Sequence, residues 1–112
     1  MQAFEISELL RAVDRTGHVY AEFLRVKELS VGLARWPAGS VDDQTPHSED
    51  EVYYVVAGQA VMRVEDEERS VAPGSIVYVP AGVEHRFVRV AEDLEVLVFW
   101  APPRTSRRPR DA

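Results

Sequence analysis

The sequence predicts an all-β sandwich or barrel. Short apolar or alternating segments follow one another between residues 19 and 100, and they are rich in Val, Tyr, Phe and Ile, which is typical of strands. Proline and glycine lie almost wholly between these segments, where they mark turns. No helical segment separates the strands, and this disfavours a parallel sheet, which needs long crossover connections.

The predicted elements begin with a short amphipathic helix, because apolar residues recur at helical spacing near the N-terminus. These residues are Ile6, Leu9, Leu10 and Val13. Ser7 is the predicted cap of this helix and Gly17 its stop. The strands predicted after it cover residues 19–26, 29–36, 51–56, 60–64, 68–71, 76–79, 85–89 and 94–100.

The length of 112 residues is that of one ordinary domain. We predict this domain over residues 1–101, followed by a flexible Arg/Pro-rich tail over residues 102–112. No apolar run approaches the roughly 20 residues that span a bilayer. The first residues also lack the basic and apolar regions of a secretory signal, so a cytoplasmic protein is the default expectation.

The formal charge of −6 is unevenly distributed along the chain. Residues 101–112 contain four arginines and one aspartate, a local charge of +3, which leaves −9 for residues 1–100. An acidic body repels phosphates, so we expect neither nucleic acid nor a membrane as a partner. The basic tail could contact an anionic surface, or it could be a solvated chain end.

Candidate metal ligands must carry nitrogen or oxygen, because the chain has no cysteine. Of the three histidines, His18 follows the predicted helix and is expected at the surface. His47 and Glu51 are four residues apart, an even spacing that places both on one face of an extended chain. His85 shares the apolar face of its own strand with Phe87. A barrel could bring these side chains together, although alone they fit hydrogen-bonded histidines and a solvated acidic loop equally well.

Two stretches of the sequence resemble the two signatures of the cupin superfamily, between residues 39 and 89. The matching residues are Gly39, Pro46, His47, Glu51, Gly58, Gly74, Pro80, Gly82 and His85. The resemblance implies a small single-domain cupin, an antiparallel jelly-roll barrel, and a homodimer in many relatives. It also implies one divalent transition metal (Fe, Zn, Mn, Ni or Cu) held by His47, Glu51 and His85.

Two positions depart from the signatures. Thr45 stands where the first histidine is usual, so the site has three protein ligands and an extra open position, or binds metal weakly, or binds none. Gln44 or Glu49 could supply an oxygen in its place. Arg89 stands where the second signature ends in asparagine, and its guanidinium could clamp a substrate carboxylate or pair with nearby acidic residues.

The interior of the barrel is expected to form a pocket beside the metal. Tyr53 and Val55 share the face of Glu51, and the phenol of Tyr53 could donate a proton to a bound substrate. Such a pocket suits a small, largely apolar molecule with one or two oxygen groups. These expectations predict a small-molecule enzyme, dioxygenase-like or cyclase/isomerase-like. The alternative is a non-catalytic small-ligand binding or sensory module, with or without metal.

Overall fold

The computed structural model describes residues 1–16, 19–43 and 46–106, and it confirms the all-β class with one short helix. Within these residues, every predicted strand is present, with bounds that differ from the prediction by at most one residue. The elements are α1 (Ile6–Thr16), β1 (Tyr20–Arg25), β2 (Ser30–Trp36), β3 (Asp50–Ala57), β4 (Ala60–Val64), β5 (Glu67–Val71), β6 (Ile76–Val79), β7 (His85–Val90) and β8 (Leu94–Ala101).

The strands form two antiparallel sheets, as the predicted jelly roll requires. The larger sheet has the order β1-β2-β8-β3-β6, and the smaller has the order β5-β4-β7. Strand β8 is therefore paired on one side with β2 and on the other with β3, although both precede it by many residues in the chain. The two sheets enclose the interior in which the candidate ligands lie.

The core between the sheets is built by strands whose side chains alternate inward and outward. In β8, Leu94, Val96 and Val98 are buried while the intervening residues are partly exposed. Burying one such aliphatic side chain contributes about 1.5–3 kcal/mol. The same alternation turns Glu51 and Tyr53 of β3 into this interior.

Two turns contact each other at one end of the barrel, and Gly58 makes this contact possible. Gly58 follows β3 with a φ of 92°, and a Cβ there would lie 2.2 Å from the carbonyl oxygen of Asp93. The carbonyl of the next residue, Gln59, accepts hydrogen bonds from the N–H groups of Ala91 and Glu92. The turn between β3 and β4 is thereby fixed to the turn between β7 and β8.

Helix α1 begins two residues earlier than the predicted cap at Ser7 allows. The Glu5 carbonyl accepts hydrogen bonds from the N–H groups of Glu8 and Leu9, so Ser7 lies inside the first turn and does not cap it. Val13 is buried, and the helix packs on β1 and β2. In the described part of the chain no helix is long and apolar enough to cross a membrane. The predicted stop at Gly17 and the neighbouring His18 lie outside the described residues.

The segment that follows β8 contacts β2, and the flexible tail predicted over residues 102–112 stays a prediction. Pro103 is buried, and the Arg104 N–H donates to the hydroxyl of Ser30 over 2.9 Å. Ser30 is fully buried, so its hydroxyl needs a partner, and this need fixes the segment to β2. The Arg25 guanidinium also donates to the Arg104 carbonyl. Residues 107–112 lie outside the described residues.

Candidate metal centre

Three separate parts of the chain bring the predicted ligands to one place. Glu51 points inward from the start of β3, and His85 points inward from the first residue of β7. His47 lies in the loop before β3. Its carbonyl accepts a hydrogen bond of 2.6 Å from the Gly82 N–H, which joins this loop to the turn that precedes β7. The structure thus brings together the ligand set that the resemblance implies.

The distances between the three side chains suit a shared ion. His85 Nε2 lies 3.2 Å from Glu51 Oε1, and His47 Nε2 lies 3.9 Å from the same oxygen. All three ligand atoms lie within 4.8 Å of one another. Ligand atoms that share a first-row metal at about 2.1 Å lie roughly 3 to 3.5 Å apart. A small inward movement of His47 would therefore complete the coordination.

The hydrogen bonds around these groups also fit a cation. Glu51 Oε2 is buried and has no hydrogen-bond partner among the described residues, a costly state for a carboxylate oxygen that a cation would relieve. The His85 Nδ1 lies 2.9 Å from the Val83 carbonyl, which can only accept, so this nitrogen carries a proton. In the neutral ring Nε2 then keeps its lone pair for a metal, the usual arrangement of ligating histidines.

The pKa values of the two imidazoles are shifted in opposite directions by burial and by neighbouring charges. Burial lowers the pKa of His47, and the nearby Glu51 carboxylate offsets this only in part. Burial also acts to lower the pKa of His85, but hydrogen bonds to Glu51 and to the Val83 carbonyl outweigh it, so that pKa is raised. The hydrogen bond between His85 and Glu51 thus favours the protonated form of the His85 imidazole.

Tyr53 lies next to the ligand set, as its position in β3 predicts. Its hydroxyl oxygen is 3.0 Å from His85 Nε2, and the residue is 1% exposed. Its ring packs edge-on against Phe87. The phenol is thus held beside the atom that would bind a metal, where it can exchange a proton with a ligand of that metal.

A cavity of about 200 Å³ leads from the surface toward these residues. The side chains that matter for its chemistry are Tyr20, Trp36, His47, Tyr53, Trp100 and Arg104. Since a water molecule takes about 30 Å³ in the liquid, this volume equals that of roughly seven waters. The cavity therefore suits a small molecule, in agreement with the sequence-based expectation.

Arg89 is not brought to this cavity. The pairing of β4 with β7 shifts between Val61 and Met62, so Phe87 faces inward while Arg89 is exposed. Arg89 instead lines a separate groove with Ser70. The predicted clamp on a substrate carboxylate has no geometric support at this position, because the bulge reverses the alternation that an unbroken strand would have.

The residues considered as replacements for the missing first histidine are placed only in part. Glu49 is buried and accepts a hydrogen bond from the Ser48 hydroxyl, and it is not one of the clustered ligand atoms among the described residues. Gln44 and Thr45 lie outside the described residues. A fourth protein ligand from either of them stays a prediction.

Sequence reasoning missed Tyr20, Trp36, Trp100 and Arg104 as cavity residues. The alternation of β8 is a signal that could have placed Trp100 inside. The indole N–H of Trp100 donates to the Tyr20 hydroxyl over 3.0 Å, which couples β8 to β1. Arg104 carries no comparable signal, because it lies beyond the last strand.

The phenol of Tyr20 is expected to ionise at a higher pH than an ordinary tyrosine. Burial raises its pKa to about 12, although the hydrogen bond from Trp100 and the charge of Arg104 act to lower it. A spectrophotometric titration of the protein should therefore show a tyrosine step near pH 12. Because the folded-state pKa is raised, its contribution to stability is complete below about pH 10 and is lost toward pH 12. Tyr20→Phe should remove the step near pH 12, and a titration curve that is unchanged at high pH in the variant would contradict the assignment.

The fold and the His–Glu–His cluster together define a jelly-roll barrel with a candidate metal site in its interior. The family model of the cupin domain matches residues 32–102, and the chain belongs to the cupin family. An uncharacterized protein of Streptomyces coelicolor, SCO3923, is 48% identical over 103 residues, which cover 92% of this chain and 98% of that protein.

Solved structures support the same assignment. TT1209 from Thermus thermophilus is 26% identical with a TM-score of 0.72, over 92% of this chain and 99% of that one. The DMSP lyase DddQ from Ruegeria pomeroyi is 26% identical with a TM-score of 0.65, over 75% of this chain but only 42% of the lyase. KdgF from Halomonas sp. is 24% identical with a TM-score of 0.70, over 76% of this chain and 80% of that protein, and it supports the fold alone.

Proposed function

We propose that this chain is a mononuclear metal-dependent enzyme that acts on a small oxygen-bearing molecule inside the barrel. The observation that carries the proposal is the buried Glu51 Oε2. Within the described part of the chain this oxygen has no hydrogen-bond partner, and its carboxylate is flanked by two imidazoles. His47, Glu51 and His85 would hold the metal. A metal bound there would supply Lewis-acid polarisation of a substrate oxygen.

The reaction class that the site favours is proton transfer, as in the predicted cyclase/isomerase-like function. Tyr53 is the group that would carry the proton, because its hydroxyl lies 3.0 Å from His85 Nε2 and is buried. A buried phenol keeps bulk water away from the proton it donates. The cavity that Tyr53 lines would hold the substrate in contact with this hydroxyl.

The relatives support an enzyme more than a binding module, within limits. The name of DddQ describes a lyase, and its 26% identity to this chain supports an enzymatic role for this barrel. This chain spans less than half the length of that lyase, so its substrate is not transferred. The cytoplasmic location and the homodimer stay predictions.

The proposal is tested with metal-loaded protein in D₂O. Pyruvate, phenylpyruvate, dihydroxyacetone and 3-hydroxypropionate serve as a probe panel, and proton NMR follows exchange of their C–H groups while an electrode records oxygen. Metal-dependent exchange without oxygen uptake supports proton transfer. Oxygen uptake would favour the dioxygenase-like function, for which two histidines and one carboxylate are a common iron ligand set. Binding of panel molecules with neither C–H exchange nor oxygen uptake would overturn the proposal of an enzyme and favour a binding or sensory module.

Tyr53→Phe should separate proton transfer from metal binding. The exchange rate of the best panel molecule should fall about 100-fold or more, because a positioned proton donor contributes roughly that factor. Metal content should stay at the wild-type value, since the phenol is not one of the three ligands. Tyr54→Phe is the matched control, because Tyr54 is the next residue of β3 and its side chain is exposed. A Tyr53→Phe protein with full exchange activity would remove Tyr53 from the mechanism.

A further inference from the structure

Arg104 holds its guanidinium at the wall of the cavity. The guanidinium carbon lies 4.8 Å from the ring centre of Tyr20 and 5.5 Å from that of Trp100. The backbone of Arg104 is fixed by the Ser30 hydroxyl and by the Arg25 guanidinium. Hydrogen bonds therefore fix the backbone of Arg104, and cation–π contacts position its guanidinium.

The guanidinium of Arg104 has no acidic partner within residues 1–16, 19–43 and 46–106. Arg35, by comparison, pairs with Asp14 and Glu95, and Arg25 pairs with Glu22. Arg104 is partly buried and lines a cavity. A partly desolvated guanidinium without a counter-ion is unfavourable, and its planar donors match the two oxygens of a carboxylate.

We infer that the cavity takes a small monocarboxylate whose carboxylate group pairs with Arg104. The inference rests on the proposed function for the statement that this cavity is the substrate site. It assigns the ligand's anionic end to Arg104 and its reacting end to the side of His47 and Tyr53, which line the same cavity. A single negative charge fits better than a phosphate dianion, because the carboxylates of Asp42 and Asp43 line this cavity as well.

The tryptophans provide a direct test of this inference. The chain has two, Trp36 and Trp100, and both line the cavity, so intrinsic fluorescence reports its occupancy. The probes are benzoate, its neutral analogue benzamide, and phenyl phosphate, each titrated into protein freed of metal by dialysis against chelator and then buffer. Working without metal excludes a carboxylate that binds to the metal itself.

Benzoate should bind wild-type protein about ten-fold or more tightly than benzamide, the factor expected from a charge-assisted pair. Arg104→Gln should abolish this preference and leave benzamide binding unchanged. Arg104→Lys should keep part of it, because it retains the charge without the planar fork. Arg69→Gln is the matched control, since Arg69 is exposed on β5 in the other sheet and its loss changes the net charge equally.

The outcomes separate this inference from the proposed function. Unchanged benzoate affinity in Arg104→Gln would overturn the inference, as would tighter binding of phenyl phosphate than of benzoate. If Arg104→Gln fails to fold, the same comparison is made with Arg104→Lys, whose full retention of wild-type benzoate affinity and preference would overturn the requirement for the guanidinium fork. A benzoate preference in a protein that takes up no metal would support the role of Arg104 in carboxylate binding. It would overturn the proposal of a metal-dependent enzyme.

Discussion

Replacing Glu51 with glutamine should lower the metal content of the purified protein from about one ion per chain to less than about a tenth. Glu51 is the one carboxylate of the clustered ligand atoms, and it is 1% exposed, so no water-exposed group can take its place without rearrangement. A neutral amide oxygen is a weaker ligand than a carboxylate for the expected metals. Elemental analysis of wild type and Glu51→Gln checks this result.

The same substitution should remove the response of thermal stability to a chelator. At a free metal concentration of about 100 times Kd, binding stabilises the native state by about 2.7 kcal/mol. For a domain of this size, 1 kcal/mol corresponds to roughly 4 °C in Tm, so chelation should lower the wild-type Tm by about 10 °C. Chelation should leave Glu51→Gln unchanged.

Glu68→Gln is the matched control for this experiment. Glu68 is exposed on β5, outside the cluster, and its replacement removes the same charge from the chain. Its metal content and its response to chelator should equal those of the wild type. Equal metal content in Glu51→Gln and Glu68→Gln would exclude the proposed site.

Gly58→Ala should destabilise the fold by more than about 3 kcal/mol. Two costs act together there. The φ of 92° is strained for any residue with a Cβ, and the new Cβ would lie 2.2 Å from the Asp93 carbonyl oxygen. That oxygen belongs to the backbone of a turn that Gln59 also holds, so it cannot move away cheaply. Chemical denaturation monitored by fluorescence measures the loss.

Gly74→Ala separates the two costs. Gly74 has a φ of 95°, nearly that of Gly58, but no heavy atom lies within 4 Å of the added Cβ. Its replacement should cost only about 1–2 kcal/mol, the strain of the positive φ. The difference between the two variants is the energy of the contact between the turns. Equal losses in the two variants would show that this contact contributes nothing.

The strands were predictable because local signals define them. Alternating apolar residues indicate the strands, and glycine or proline indicates the ends, so the predicted bounds agree with the structure to within one residue. The cap of α1 was predicted wrongly at Ser7, since the Glu5 carbonyl accepts the first helical hydrogen bonds. One side-chain oxygen at a plausible position does not decide where a helix begins.

Only those residues of the candidate site that local spacing or the family resemblance indicates could be predicted from the sequence. The shared face of Glu51 and Tyr53 follows from β-strand alternation. The approach of His85 depends on pairing between strands that are distant in the sequence, and there the resemblance supplied the prediction. The two alternatives for Arg89 could not be separated from the sequence, because alternation does not reveal a β-bulge.

Arg104 was missed for a related reason. Three of its partners, Tyr20, Arg25 and Ser30, lie more than 70 residues earlier in the chain. Composition alone groups residue 104 with the arginines and prolines that follow it, and no spacing rule connects it to β1 or β2. Contacts of this range become visible only when the strands are assembled.

The central place of β8 in the larger sheet has a consequence for how the protein is made. As the polypeptide leaves the ribosome, β2 and β3 emerge well before the strand that will lie between them. Until about residue 101 is synthesised, each of these two strands presents an unpaired edge, a state prone to association with other nascent chains. The barrel, and with it the interior site, closes only when nearly the whole domain has been translated.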